Sequence, residues 1–239
     1  MKIALIGYGK MGRVIESIAK ERGHTIVATA NSDSPIEEID FSKVDVAIEF
    51  TAPELAVKHI RHCVDRNTPV IVGTTAWGDQ LEEVTDYVNS SNGALLHASN
   101  FSIGVNIFFD INRRLAALME PHLEYQASME ETHHLQKLDA PSGTAITLAN
   151  EMMFENKNLS SWVHKEDQAP RVNKGQIALT SFREEGVPGT HKITYQSEID
   201  SIEIKHTAHN RRGFALGSVV AAEWLLKKKG VYTMKDIIS

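Results

Sequence analysis

A glycine-rich turn between a strand and a helix constrains the fold of this chain more than any other feature. Gly7, Gly9 and Gly12 form the pattern Gly-x-Gly-x-x-Gly. The apolar run 2–6 before them is typical of a strand, and the apolar residues of the segment 14–19 have helical spacing. In this setting the pattern predicts a dinucleotide whose pyrophosphate lies against the glycine backbone and the helix N-terminus. A tight turn without a ligand is the alternative.

The end of the second predicted strand bears on the choice of cofactor. An acidic residue commonly stands there and binds the ribose hydroxyls, but this strand ends in the neutral residues Asn31 and Ser32. Neither repels a 2′-phosphate, Lys10 could attract one, and Asp33 lies slightly beyond the expected position. The sequence therefore predicts NADPH or NADH as the cofactor and leaves the preference open.

The first hundred residues alternate short apolar runs with helical patterns. The predicted strands are 2–6, 25–30, 44–50, 69–72 and 94–97, and two of the predicted helices are 54–66 and 79–89. This alternation implies right-handed βαβ units and a Rossmann-type, doubly wound parallel sheet. On the helix 54–66, Leu55, Ile60 and Val64 are predicted to face the core, and Cys63 is predicted to be a core residue.

The rhythm of the sequence changes after residue 102. A long helix is predicted over 103–119, with a packing stripe formed by Phe108, Ile111, Leu115 and Leu118. The helix marks the beginning of a part of the chain in which strands follow one another with short connections.

Alternating apolar and polar residues fill most of this second part. The predicted strands are 125–131, 176–183, 191–197 and 201–208. The segment 156–174 is predicted to be a loop, and 213–229 a final amphipathic helix. The fold class is therefore α/β, with an N-terminal Rossmann-type domain and a second α+β domain built on an open mixed or antiparallel sheet with one covered face.

Small polar turns follow the third, fourth and fifth predicted strands. Because ligands of a doubly wound sheet lie beyond the carboxyl ends of its strands, these turns are predicted to line the nicotinamide end of the cofactor groove. Ordinary turn chemistry is the alternative. The residues predicted to bind the cofactor are Gly7, Tyr8, Gly9, Lys10, Met11, Gly12, Asn31, Ser32, Phe50, Thr51, Gly73, Thr74, Thr75, Ala98, Ser99, Asn100 and Phe101.

The densest polar cluster of the chain is the segment 131–144, Glu-Thr-His-His-Leu-Gln-Lys-Leu-Asp-Ala-Pro-Ser-Gly-Thr. A helix is predicted to begin near its end, so that the N–H groups of Gly143 and Thr144 would bind a carboxylate, with Lys137 adding positive charge. A histidine can supply a proton near neutral pH. The segment thus predicts a proton donor beside a carboxylate site, with a Schiff-base role for Lys137 as an alternative.

The two adjacent histidines of this segment, His133 and His134, argue against a metal site. A helical metal site places its ligands four residues apart, and the chain has neither a His-Glu-x-x-His motif nor a companion cysteine. No metal is therefore predicted.

Composition excludes several classes of protein. Within 239 residues, no apolar run approaches the roughly 18 residues that a membrane span requires. A net charge of −6 argues against nucleic acid as a partner. The segment 1–10 lacks the layout of a signal peptide, and the single cysteine, Cys63, fits a reducing compartment. We therefore expect a cytoplasmic protein that binds a small molecule, with no nucleic-acid or membrane partner.

Five segments carry a resemblance that spans the chain. They are 10–12, 73–75, 98–106, 131–145 and the Arg-x-x-Phe-Ala-x-Gly element 211–217. Together they resemble the family of 4-hydroxy-tetrahydrodipicolinate reductases, also called dihydrodipicolinate reductases. The segment 131–145 is the most specific of the five.

The resemblance implies roles for individual residues. His133 is the expected proton donor, and Lys137 is expected to be a second donor and a carboxylate contact. The residues expected to contact the substrate, a cyclic dicarboxylate, are His134, Lys137, Gly143, Thr144 and Arg211.

The resemblance also implies an activity and an assembly. A homotetramer would reduce 4-hydroxy-tetrahydrodipicolinate to tetrahydrodipicolinate with NAD(P)H in diaminopimelate and lysine biosynthesis. Residues 1–102 and 213–239 would form the dinucleotide-binding domain, and 103–212 the substrate-binding and oligomerisation domain. The glycine turn is one residue shorter than the longer family form, and the second strand lacks the acidic-basic pair of some members, so the cofactor preference does not carry over.

Two other functions remain open at this point. The same fold could serve a non-catalytic dinucleotide sensor that regulates a partner, which would not need His133 or Lys137. A semialdehyde dehydrogenase would need a cysteine nucleophile, and Cys63 lies on a predicted helix of the nucleotide half.

Overall fold

The structure, a computed structural model, describes residues 1–210 and 212–238. The chain forms two compact units: Met1–Asn106 with Arg212–Ser239, and Ile107–Arg211. In chain order the strands and helices are β1 (Lys2–Ile6), α1 (Lys10–Glu21), β2 (Thr25–Ala30), β3 (Val46–Glu49), α2 (Pro53–Val64), β4 (Val70–Val72), α3 (Leu81–Ser90), β5 (Ala94–His97), α4 (Ile103–Met119), β6 (Gln126–His133), α5 (Gly143–Glu155), β7 (Ser161–Glu166), β8 (Gln176–Arg183), β9 (Gly189–Gln196), β10 (Ser201–Ala208), α6 (Arg212–Leu225), β11 (Gly230–Tyr232) and α7 (Lys235–Ile238).

The sheet of the first unit is parallel throughout. Its strand order is β11-β5-β4-β3-β1-β2, and each neighbouring pair runs in the same direction. β3 and β4 are buried at every position, as expected of strands covered on both faces. The prediction of a Rossmann-type sheet is confirmed.

Two helices of this unit differ from the sequence prediction. On α2, Leu55 is exposed, because the buried face follows Ala56, Ile60 and Cys63, four and then three residues apart. Cys63 is a core residue, as predicted.

The end of the final helix also differs from the prediction. α6 ends at Leu225 rather than at residue 229, and Lys227 has a backbone φ of 67°, which is incompatible with a continuing helix. The chain then adds the short edge strand β11, which the sequence analysis missed.

The second unit contains a mixed sheet with the order β10-β9-β6-β8-β7. β10, β9 and β6 are antiparallel, whereas β6, β8 and β7 are parallel. β7 lies inside the segment 156–174, so the prediction of a loop there is wrong. The strand was missed because it is a half-buried edge strand whose apolar alternation is weak.

One face of this sheet is covered by α4 and α5. Phe108, Leu148 and Met152 pack with Met129 and Ile193 of the strands. This arrangement gives the second unit a core of its own.

The predicted packing stripe of α4 is only partly correct. Ile111 and Leu118 are 44% and 70% exposed, while the buried face contains Phe108 together with Asn112 and Ala116. The prediction failed because a polar residue such as Asn112 was not expected in the core. Asn112 lies there because its Nδ2 donates a hydrogen bond to the carbonyl of Leu148. Among the described residues, no helix is long and apolar enough to cross a membrane.

Candidate active site

The glycine turn of the first unit has the close packing that requires glycine. Gly7 has a φ of 97°, and a Cβ there would lie 1.9 Å from the carbonyl oxygen of Phe50. A Cβ at Gly12 would lie 2.4 Å from the carbonyl oxygen of Gly7. At Gly9, the N-cap of α1, a Cβ would meet no atom of the described residues within 4 Å. The turn therefore leaves open space at the helix N-terminus, where a pyrophosphate fits.

A cavity of about 460 Å³ adjoins this turn. It is lined by Ile6, Gly7, Tyr8, Ala30, Asn31, Ser32, Pro35, Ile36, Glu37, Thr51, Ala52, Leu55, Lys58 and His59. Lys10 is exposed and lies outside this lining. Lys58 and Glu37 could not be predicted to line this cavity, because no motif marks either residue. Their Nζ and Oε1 atoms are 2.7 Å apart.

The turns at the ends of β3, β4 and β5 lie together in the first unit. The backbone N–H of Thr51 donates to Oγ1 of Thr74 over 2.7 Å. A Cβ at Gly73 would lie 2.1 Å from the ring of Phe50, which in turn packs against Phe101 with 5.8 Å between ring centroids. These contacts hold the three turns in one group.

The remaining cofactor candidates belong to the same turns. Thr75 follows Thr74, and Ala98 and Ser99 precede Asn100 after β5. The side chain of Asn100 accepts a hydrogen bond from the N–H of Ser102 over 2.9 Å, so it is held locally.

In the second unit, a buried carboxylate organises the histidine segment. Glu131 is 0% exposed, and its Oε1 accepts hydrogen bonds from the N–H of Ser142 over 3.0 Å and from the hydroxyl of Ser181 over 2.7 Å. Its Oε2 lies 3.3 Å from Nδ1 of His133 and 3.7 Å from Nε2 of His191. We call these five residues the Glu131 cluster.

Strand geometry explains why the members of the Glu131 cluster meet. Glu131 and His133 are two residues apart on β6, so their side chains are on the same face of the sheet. His191 pairs with Glu131 in the antiparallel register of β6 and β9, and Ser181 pairs with it in the parallel register of β6 and β8. Side chains of directly paired residues approach one another.

The charges in the Glu131 cluster are strongly perturbed. Burial acts to raise the pKa of Glu131, but the contact with His133 and the hydrogen bonds from Ser142 and Ser181 outweigh it and hold this pKa well below its usual value. Burial, assisted by positive charge at His133, lowers the pKa of His191 to about 4. Near neutral pH the cluster therefore contains a carboxylate anion and a neutral His191.

The two predicted histidines occupy different environments. His133 is buried and meets His191 edge to face, with 5.2 Å between ring centroids. A Cβ at Gly189 would lie 3.1 Å from Nε2 of His133, so glycine there leaves room beside this nitrogen. His134 is half-buried, and its carbonyl accepts a hydrogen bond from the N–H of Lys137 over 3.0 Å.

The predicted carboxylate site, formed by Lys137, Gly143 and Thr144, has the expected local structure. Gly143 and Thr144 are the first residues of α5, so their N–H groups have no acceptor within the helix. A Cβ at Gly143 would have no neighbour within 4 Å in the described part of the chain. Nζ of Lys137 lies 2.8 Å from both carboxylate oxygens of Asp139.

Arg183 fixes the loop that carries Lys137. Its guanidinium donates to the carbonyls of Lys137 and Asp139 over 3.2 and 2.7 Å. One of its nitrogens is also 3.6 Å from Oε1 of Glu131. The predicted substrate contact Arg211 lies outside the described residues.

Glu131, His133 and His191 also bring a carboxylate and two imidazoles within 4.8 Å of one another. Such donors occur in zinc sites, and spacing along the sequence could not reveal them because they come from two strands. Oε2 of Glu131 and Nδ1 of His133 are buried and make no hydrogen bond with the described residues, although they lie 3.3 Å apart. The same three groups are also suited to holding and moving a proton.

Two family models divide the chain between them. The model for the N-terminus of dihydrodipicolinate reductase matches residues 1–101, and the model for its C-terminus matches residues 104–238. The chain belongs to the dihydrodipicolinate reductase family.

Individual relatives agree with this family. The 4-hydroxy-tetrahydrodipicolinate reductase of Christiangramia forsetii is 47% identical over 239 residues, covering 100% of this chain and 98% of the relative. The enzyme of the same name from Thermosipho africanus is 33% identical over 240 residues, with coverage of 100% and 98%. A solved, dipicolinate-bound dihydrodipicolinate reductase from Paenisporosarcina sp. TG-14 has a TM-score of 0.78 at 23% identity and 99% coverage of both chains, which shows the same fold.

These findings confirm the sequence-based prediction of the family. As a member, the chain is a dinucleotide-dependent reductase of diaminopimelate and lysine biosynthesis. The thiol-dependent alternative is not supported, since Cys63 is fully buried and burial raises the pKa of its thiol.

Sequence reasoning missed several members of the second-unit site. Glu131 stood in the predicted polar segment, but its position two residues before His133 on a strand was the only sign of its role. His191, Ser181 and Arg183 had no local signal, because they reach the site through strand pairing alone.

Proposed function

We propose that this chain reduces 4-hydroxy-tetrahydrodipicolinate to tetrahydrodipicolinate, with His133 as the proton donor and Lys137, Gly143 and Thr144 as the carboxylate site. One observation carries this assignment. Glu131 accepts a hydrogen bond from the residue just before Gly143 and lies 3.3 Å from Nδ1 of His133. The proton donor and the start of α5 are therefore parts of one connected cluster.

The first unit has the features of a nicotinamide-dinucleotide site. Gly7, Gly9 and the N-terminus of α1 would hold the pyrophosphate, and the adjoining cavity of about 460 Å³ would hold the adenosine. When bound, the nicotinamide would supply hydride to C4 of the unsaturated ring that remains after the 4-hydroxyl group of the substrate leaves as water.

The second unit would supply the groups that act on the substrate. The positive end of the α5 dipole and the ammonium of Lys137 offset the charge of a substrate carboxylate. Lys137 would exchange its bonds to Asp139 for bonds to the substrate. His133 then donates a proton where negative charge develops after hydride addition. The dipicolinate bound to the Paenisporosarcina reductase is a dicarboxylate of the kind that this site would accept.

We propose that the enzyme uses both NADH and NADPH. Asn31 and Ser32 at the end of β2 carry no charge, and the ammonium of Lys58 is paired with the carboxylate of Glu37. The residues around the adenosine cavity therefore offer neither a strong attraction nor a strong repulsion to a 2′-phosphate.

The assembly that we propose is a homotetramer formed through the open faces of the second sheet. β6 directs Ser128, Glu130 and Thr132 away from the face that α4 and α5 cover. Nζ of Lys192 on β9 lies 2.8 Å from Oε2 of Glu130, so these charges are already paired. Light scattering should give four times the chain mass.

We further propose that the enzyme works in the cytoplasm with a small-molecule substrate and needs neither a metal nor a nucleic-acid or membrane partner.

The deciding experiment follows the oxidation of NADH and NADPH by the purified protein. The substrate is supplied by enzymatic condensation of its precursors in the same cuvette. We expect absorbance at the reduced-nicotinamide band to fall only when the condensing enzyme is present. Dinucleotide binding without turnover would favour the sensor.

A further inference from the structure

We propose that Glu131 is the positioning residue that holds His133 with a proton on Nδ1, so that Nε2 is the nitrogen that transfers a proton to the substrate. The inference rests on the proposed function, in which His133 is the proton donor. Glu131 has had no role in the reaction up to this point. It would act through His133 without touching the substrate.

The orientation of the Glu131 carboxylate is fixed on one side. Oε1 accepts two hydrogen bonds, from the N–H of Ser142 and from the hydroxyl of Ser181. The same hydroxyl lies 2.9 Å from Nε2 of His164 on β7, which holds it in place. These contacts leave Oε2 directed at Nδ1 of His133, 3.3 Å away.

A carboxylate in this position selects one tautomer of the imidazole. An ionised carboxylate accepts hydrogen bonds only, so Nδ1 must carry a proton for the contact to be favourable. The remaining nitrogen, Nε2, is then the one that takes up a second proton when the ring becomes a cation, and this is the proton that can leave. In the transfer, the Nε2–H bond breaks, the proton goes to the substrate atom that bears the negative charge, and the electron pair of the bond stays on nitrogen.

The surroundings of Nε2 agree with this assignment. Gly189 begins β9 beside Nε2 of His133, and a Cβ there would come within 3.1 Å of this atom. Glycine thus keeps a side chain at position 189 from crowding Nε2, while Nδ1 faces Glu131.

The other charged groups near Glu131 leave its role unchanged. On β9, His191 is neutral near pH 7, since its pKa is lowered to about 4. On β8, the guanidinium of Arg183 is 3.6 Å from Oε1 and donates to the loop carbonyls, so it does not compete for Oε2. Of the two rings near Oε2, that of His133 is the closer, at 3.3 Å against 3.7 Å for the neutral ring of His191.

The test replaces Glu131 by glutamine, which keeps the size of the side chain and removes the charge. In Glu131→Gln we expect kcat to fall about 10²-fold, with the KM for substrate and the binding of NADH nearly unchanged. Glu131→Asp, which keeps the carboxylate, should recover part of the lost kcat. The matched control is Glu124→Gln, the same exchange at an exposed position just before β6, which should leave kcat unchanged.

A second measurement is independent of turnover. Nitrogen-15 NMR of histidine-labelled protein, at a pH where the ring of His133 is neutral, should show the proton on Nδ1 in the wild-type protein and in Glu131→Asp. In Glu131→Gln the two tautomers should mix or the proton should move to Nε2. An unchanged tautomer together with an unchanged kcat would overturn the proposal.

The two measurements separate this inference from the proposed function. If the wild-type protein does not oxidise NADH or NADPH with substrate present, the proposed function fails, while the NMR result still decides whether Glu131 fixes the tautomer. If Glu131→Gln does not fold, as circular dichroism would reveal, Ser181→Ala takes its place. That variant removes one of the two bonds to Oε1, and an unaltered His133 tautomer and kcat in it would count against the inference.

Discussion

Glu131 of β6 and His191 of β9 stand directly opposite each other in the antiparallel register, with Oε2 and Nε2 separated by 3.7 Å. The pair places an anion beside a neutral imidazole, because burial lowers the pKa of His191 to about 4. His133, two residues from Glu131, approaches the same oxygen. A single buried carboxylate therefore organises two histidines from two strands.

Substitution of the substrate-directed residues should separate chemistry from cofactor binding. In His133→Gln and Lys137→Ala we expect turnover to fall by about 10²-fold or more, because each removes a group that acts on the substrate. Fluorescence titration should show NADH binding close to that of the wild-type protein. His122→Gln, at an exposed histidine, provides the control and should leave turnover intact. Full activity in both variants would remove the catalytic assignment.

Acid should destabilise the protein through the Glu131 cluster. His191 has a folded pKa of about 4 against 6.5 ordinarily, so the unfolded chain binds its proton more readily than the folded one. Its contribution to the free energy of unfolding is therefore complete above pH 6.5 and is lost as the pH falls towards 4. Glu131, whose pKa is lowered, acts in the same direction below its usual value of 4.5.

Urea unfolding between pH 7.5 and 4 measures this effect. From pH 6.5 to 4 the wild-type protein should lose free energy of unfolding, with a His191 contribution on the order of 1–3 kcal/mol. His191→Gln keeps a polar group near Ser142 but cannot titrate, so its loss over this interval should be smaller by that amount. Parallel curves for the two proteins would show that His191 is not responsible.

The sequence predicted the first unit better than the second for a physical reason. The glycine turn and the alternating strands and helices are local patterns, and each specifies a βαβ step. β7 and β11 were missed because edge strands are short and only partly buried, so their side chains show little alternation.

The site of the second unit depends on contacts between distant parts of the chain. His133, Lys137 and Gly143 lie in one segment and could be predicted together. His191 joins them only through the register of β6 with β9, which pairs residues sixty positions apart. Residue spacing does not encode that register, so neither the Glu131–His191 contact nor the Glu131 cluster as a whole could be predicted.

The cofactor preference should respond to the Lys58–Glu37 pair. We expect the wild-type protein to bind NADH and NADPH with affinities within roughly tenfold, or about 1.4 kcal/mol. In Glu37→Gln the ammonium of Lys58 loses its partner, so NADPH should bind up to about tenfold more tightly relative to NADH. Fluorescence titration of both cofactors measures the ratio, and Glu38→Gln, next to it in the chain, is the control. A ratio that is the same in all three proteins would show that Lys58 does not meet the 2′-phosphate.

A planar dicarboxylate should compete for the carboxylate site. Pyridine-2,6-dicarboxylate presents a carboxylate to the N–H groups of Gly143 and Thr144 but cannot accept hydride in the reaction. Its binding should weaken by about 1.5–3 kcal/mol in Lys137→Met, which keeps much of the side-chain length and removes the charge. Gly143→Val should weaken it too. A Cβ at this position would have no described protein atom within 4 Å, so the added side chain would occupy the open space that the carboxylate needs at the start of α5. Leu138→Ala, at a fully solvent-facing neighbour of Lys137, is the control. Calorimetric titration measures all four proteins, and equal affinity in the wild-type protein and Lys137→Met would mean that the carboxylate binds elsewhere.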